Sequence, residues 1–158
     1  LKLVSEKAKV LVGDKLSVKV VLSGSEETLG SDVILLFDPK MLSVESVTPS
    51  KLYPTYNPAG KLRVDDKNGR ILLSGSAAIG KPVEALGEFA TINFVTQKAG
   101  STQVKFDYQA GSTTKTGVVS PTGKELLMSK PSTLGINISN PSFFQKLVNW
   151  INNLFKKK

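Results

Sequence analysis

An all-β fold, two packed antiparallel sheets made of about nine short strands and followed by a short C-terminal helix, is predicted by three features of the sequence. Apolar residues alternate with polar ones at period 2, most clearly in Lys15–Leu22 (KLSVKVVL). Clusters of Gly, Pro, Asn, Asp and Ser separate such segments at short intervals. Helical periodicity enters only after residue 140. At 158 residues and 40% hydrophobic content the chain suits one ordinary core.

The elements follow in order. Leu1 to Val12 alternates with lysines where a signal peptide would carry a continuous apolar stretch, so a processed or trimmed chain is expected, and Leu3–Val12 reads as the first strand. In Lys15–Leu22, Leu16, Val18, Val20 and Leu22 share one face, while Ser17, Lys19 and Val21 share the other. Strands are then expected at Val33–Phe37, Leu42–Val47, Leu62–Asp65, Arg70–Ser76, Glu88–Thr96, Thr102–Phe106 and Leu134–Ile138. Between the Leu62 and Arg70 strands stands Asp66-Lys67-Asn68-Gly69, whose Asn-Gly pair supplies the positive-φ positions of a tight hairpin. A sheet with one apolar face must bury it against another layer, hence a sandwich over residues 1–140.

Residues 141–158 form the second unit. Ser142 can cap a helix in which Phe143, Phe144, Leu147, Val148, Trp150, Ile151, Leu154 and Phe155 fall within one arc of about 160°. Fourteen such residues span about 21 Å, too short to cross a bilayer but long enough to lie in its interface. The stripe has three candidate surfaces, which the sequence leaves open: a membrane surface, its own sandwich, or another copy of the chain.

Composition excludes several chemistries. The chain has no Cys and no His, which removes thiol nucleophiles, Ser-His-Asp triads and the usual zinc sites. The net charge of +8 falls to about +4 without the tail lysines Lys146, Lys156, Lys157 and Lys158, so nucleic acid is not an expected partner. Ser112-Thr113-Thr114-Lys115 and Lys115-Thr116-Gly117 fit two penicillin-binding motifs but overlap in one loop, where the chemistry needs separate facing elements. Gly117 to Lys124 is one residue too long for a phosphate-binding loop, with Glu125 in place of the magnesium-binding hydroxyl. Asp65 to Gly69 lacks the ligand series of a calcium loop. The pairs Glu26-Glu27 and Asp65-Asp66 sit at turns, not across a cleft. No catalytic residue, metal or cofactor is expected.

Four pieces, in this order, resemble the cohesin family: KVLVGDKLSVKVVLSG, DVILLFDPKMLSVESVTP, GRILLSGS and LGEFATINFVTQKAGSTQVKF. They cover most of residues 9 to 106, with Gly13-Asp14 at the turn into the alternating strand and Phe37-Asp38-Pro39 in the second piece. Val118 to Gly123 is similar to the loop before the family's last strand. The resemblance implies a nine-stranded jelly-roll sandwich outside the cell or on its surface, which recognises a dockerin or another protein through one sheet face. It also implies that Asp32 matches a hydrogen-bonding Asp of that face. The family's Asn neighbour is replaced by Gly30, and its acidic residue after the central strand falls near Ala77 or Ala78, so a non-standard partner is expected.

Alternation reaches the same surface independently. If Val33, Leu35 and Phe37 face the core, Asp32, Ile34 and Leu36 point outward. On the next strand Arg70, Leu72, Ser74 and Ser76 join them, flanked by Arg63 and Asp65. This is an apolar centre with a polar rim, the anatomy of a partner-binding patch; a loop or the C-terminal segment lying over it is the competing expectation. Two other functions remain open: a polysaccharide-binding module reading sugar with Tyr53 and Tyr56, and a structural subunit of a surface array or membrane-associated adhesin joined through the tail.

Overall fold

The computed structural model describes residues 1–57, 62–127 and 129–142. The expected helix over Phe143 to Phe155 lies outside them.

Among the described residues twelve strands run β1 (Lys2–Val4), β2 (Lys9–Leu11), β3 (Lys15–Thr28), β4 (Gly30–Leu36), β5 (Leu42–Pro49), β6 (Thr55–Tyr56), β7 (Arg63–Asp65), β8 (Arg70–Ser76), β9 (Val83–Thr96), β10 (Gly100–Phe106), β11 (Gly117–Val119) and β12 (Leu134–Ser139). One sheet has the order β1-β3-β9-β5; the other has the order β2-β12-β10-β4-β8-β6, with β11 added to β4 and β7 to β8. Every pairing is antiparallel except that of β2 with β12.

The sandwich matches the expectation, but the strand count rises for local reasons. Leu3–Val12 is two strands in opposite sheets. Leu3 and Val10, both buried, are seven residues apart, so an unbroken period-2 strand would turn one of them to solvent. The break falls in Ser5-Glu6-Lys7, where the Ser5 hydroxyl accepts the Lys7 N–H. The Glu88 strand begins earlier, at Val83, because it follows β3 along its extension to Thr28. Thr55–Tyr56 and Gly117–Val119 are too short to show a period.

The core lies between the sheets. Leu16, Val18, Val20 and Leu22 on β3 and Ile92 and Phe94 on β9 face Val33 and Leu35 on β4 and Ile71 and Leu73 on β8. Burying each such side chain contributes about 1.5–3 kcal/mol. Phe37 and Phe94 meet edge to face at 5.3 Å. Near the end of β8, Gly75 leaves room for two rings: a Cβ there would lie 2.6 Å from Tyr53 Cδ2 and 2.9 Å from Phe89 Cε2.

The Asn-Gly turn pairs its strands as expected, Asp65 opposite Arg70, but not as a two-residue hairpin. Only Gly69 takes a positive φ, 65°. Asn68 stays out of that region because the Asp65 carboxylate accepts both its backbone N–H (3.0 Å) and its side-chain amide (2.8 Å). These bonds hold the fully exposed Asp65 carboxyl below the usual range.

The edge strands β1, β2 and β5 give amides to side chains: the Leu3 N–H donates to Ser132 Oγ, Leu11 N–H to Asp14 Oδ2 and Val44 N–H to Asp66 Oδ1. On the interior strand β8, between its pairings with β6 and β7, the Ser74 N–H donates to Asn57 Oδ1.

Candidate protein-recognition face

The outer face of β4, β8 and β7 gathers all nine residues expected there. Register sets Asp32 opposite Ser74, Ile34 opposite Leu72, Leu36 opposite Arg70 and Gly30 opposite Ser76. Across β8, Arg63 stands opposite Leu72 and Asp65 opposite Arg70. Asp32, Arg63 and Asp65 are exposed; Leu36, Arg70, Leu72 and Ser76 are half-buried; Ser74 is buried, its hydroxyl donating to Asp32 Oδ1.

Ile34 corrects the expectation of an open apolar centre. It points to the outer side yet is only 3% exposed. The cause is the chain between β10 and β11. β10 leaves β4 once Phe106 has paired with Leu35, and β11 returns only at Gly117 opposite Asp32. The ten residues between leave the sheet, and Thr113, Thr114 and Lys115 border the same cavity as Ile34 and Leu72. The competing expectation, a covering loop, therefore holds at this position.

The base of that excursion is fixed by hydrogen bonds that replace strand pairing. Thr116 Oγ1 accepts the Ile34 N–H at 2.9 Å and donates to the Ile34 carbonyl at 3.0 Å. Asp107 N–H donates to the same carbonyl and Thr116 N–H to the Asp107 carbonyl, both at 2.8 Å. Lys115 Nζ meets the Asp107 carboxylate at 2.8 Å.

The loop holding the discarded Ser112 to Gly117 motifs thus borders the face. So does Glu125, whose Oε1 accepts the N–H groups of Val118 (3.0 Å) and Leu127 (2.8 Å). Period-2 reasoning could not find either, since both are loop features. The Gly-Ser-Thr-rich run 111–117 was the available signal.

Tyr53 and Tyr56 are not a sugar-stacking platform. Tyr53 is 2% exposed, its hydroxyl on Ser31 (2.7 Å) and Thr28 (3.2 Å). Tyr56 is half-buried, donating to the Phe89 carbonyl at 3.0 Å. Both rings pack edge-on against Phe89, and burial raises both phenol pKa values. Among the described residues no group of three or more acidic side chains could hold a metal ion.

No curated protein sequence matches the chain. Solved structures do. The third ScaC cohesin of Acetivibrio cellulolyticus, in complex with the ScaB dockerin, superposes with a TM-score of 0.70 at 15% identity, covering 87% of this chain and 98% of that one. The OlpA cohesin complex with Doc918 from Clostridium thermocellum gives 0.65 at 19% identity, covering 87% and 97%. A type II cohesin domain of Acetivibrio cellulolyticus gives 0.65 at 17%, covering 86% and 93%. At these identities the likenesses speak for the fold. The model of the cohesin domain matches residues 1–125, most of the sequence, so the chain belongs to the cohesin domain family.

Proposed function

We propose that this chain is a non-catalytic, extracellular or cell-surface recognition module that binds a dockerin or dockerin-like protein through the outer face of β4, β7 and β8. The observation that carries the reading is the face itself: Asp32, Arg63, Asp65 and Arg70 surround the half-buried Leu36 and Leu72 on a floor of three paired strands. Flanking charges of both signs orient a partner, and the aliphatics supply desolvated contact. Family membership supports recognition of a protein partner, and the ScaC and OlpA relatives were solved with dockerins. Sugar binding has no comparable support, because its two tyrosines are committed to packing.

Calorimetry against a panel of dockerins, the two in those complexes included, tests the proposal. At least one should bind, and the double substitution Asp32→Lys with Arg63→Glu, both at exposed positions, should weaken it by about 100-fold or more. Binding by no member, or binding indifferent to the substitution, overturns it.

A further inference from the structure

The excursion between β10 and β11 also builds a concavity. Residues 111–115 on one side and the turn leading to Glu125 on the other enclose about 450 Å³ above β4 and β8. Its floor is made of small residues: Gly30, Ser74, Ser76 and Gly117. A Cβ at Gly117 would stand 2.7 Å from Glu125 Oε2, so any larger residue there displaces that carboxylate.

The charges in this cavity are uneven. Asp32 uses Oδ1 for the Ser74 hydroxyl, and Glu125 uses Oε1 for two backbone amides. Among the described residues each keeps its second oxygen without a hydrogen bond. Lys115 is the one cation in the described lining, and its ammonium is engaged by Asp107. A neighbouring compartment of about 260 Å³ shares Asp32, Ser74, Thr113 and Lys115 with the first. It is lined by Arg63 and Arg70, neither of which takes part in an ion pair among the described residues. The face is negative toward β11, while toward β7 Arg63 and Arg70 outnumber Asp65, which stands opposite Arg70.

We infer that the larger cavity is a socket for one basic side chain, lysine or arginine, projecting from the protein partner. The inference rests on the face proposed above as the binding surface. Charge complementarity selects the occupant: two carboxylate oxygens without protein donors match an ammonium or guanidinium, and the small floor leaves depth for a long, thin stem. The adjoining arginines repel a second cation, which sets the direction in which a partner docks. A flat partner meets the Thr113–Lys115 wall, so the excursion selects for a projecting residue.

The test uses the full chain and side-chain mimics, which makes it independent of any partner. Amide NMR spectra are followed during titration with n-butylguanidinium and n-butylammonium, with n-butanol as the uncharged control. Saturable shifts are expected at Gly30, Ser74, Ser76 and Gly117, weakened about tenfold in Asp32→Asn and in Glu125→Gln. Equal shifts with butanol, or unchanged affinity when Asp32→Asn and Glu125→Gln are combined, overturn the socket. Asp32 is exposed, so its amide variant tests the idea even if the Glu125 variant folds poorly. A socket that responds in a chain that binds no dockerin refutes the proposed face alone; dockerin binding without the mimic response refutes the socket alone.

Discussion

Thr116→Val isolates the clamp at the base of the excursion. The substitution keeps the branched shape of a side chain that is 1% exposed and removes only its hydroxyl. Two bonds to Ile34 are lost, but the consequences differ. The Ile34 carbonyl retains the Asp107 N–H, whereas the Ile34 N–H is given to Thr116 alone. A buried N–H without a partner costs about 1–3 kcal/mol. With a urea slope of about 1–3 kcal/mol per molar for small proteins, the midpoint should fall by about 1 M. Amide exchange at Ile34 should accelerate by about tenfold or more, because the local bond closing that position is gone. Thr116→Ser keeps the hydroxyl and should preserve Ile34 protection, at the smaller cost of one buried methyl, about 1 kcal/mol. An unchanged midpoint together with unchanged Ile34 exchange in the valine variant would refute the clamp.

Two further outcomes follow from packing and titration. Gly75→Ala should destabilise by about 1–3 kcal/mol, because both rings it would strike are themselves held, Tyr53 by Ser31 and Thr28. Gly135→Ala, in open space on β12, should be neutral or stabilising by up to about 1 kcal/mol; urea midpoints that rank the two alike contradict the account. Burial raises the Tyr53 phenol above its ordinary 10.0, so its protonated form is favoured by folding. That contribution is complete below about pH 10 and is lost as pH climbs through the raised folded-state value. Tyr53→Phe should therefore lower stability at neutral pH by about 1 kcal/mol for its hydrogen bonds yet flatten the alkaline loss. An alkaline limb with the wild-type slope counts against it.

The sandwich was legible because its signal is local. Alternation in β3, β4 and β8 assigns each side chain to a face, and the structure buries Leu16, Val18, Val20, Val33, Leu35, Ile71 and Leu73 accordingly. The same parity placed all nine face residues on one side, which is a statement about strands alone. Whether a side chain on that side meets water depends on what lies above it, and here parity is silent. Ile34 was given the correct side and the wrong environment, because residues 107–116 have no period to read. Tyr53 misled for the opposite reason: it stands in a Pro-rich loop, where aromatic rings are commonly exposed, but Gly75 opens a place for it two strands away in the chain order. Contacts of that separation leave no mark on local composition.

The three side chains that take edge amides bear on more than strand ends. Ser132, Asp14 and Asp66 occupy hydrogen-bonding positions on the edge strands β1, β2 and β5 that an extended segment from another molecule would need in order to add itself as a strand. A module that recognises other proteins is exposed to indiscriminate backbone pairing, which any sequence can offer. Closing those amides withdraws the route that carries no sequence information. What remains for association is a surface made of side chains, where every contact depends on which residue the visitor brings.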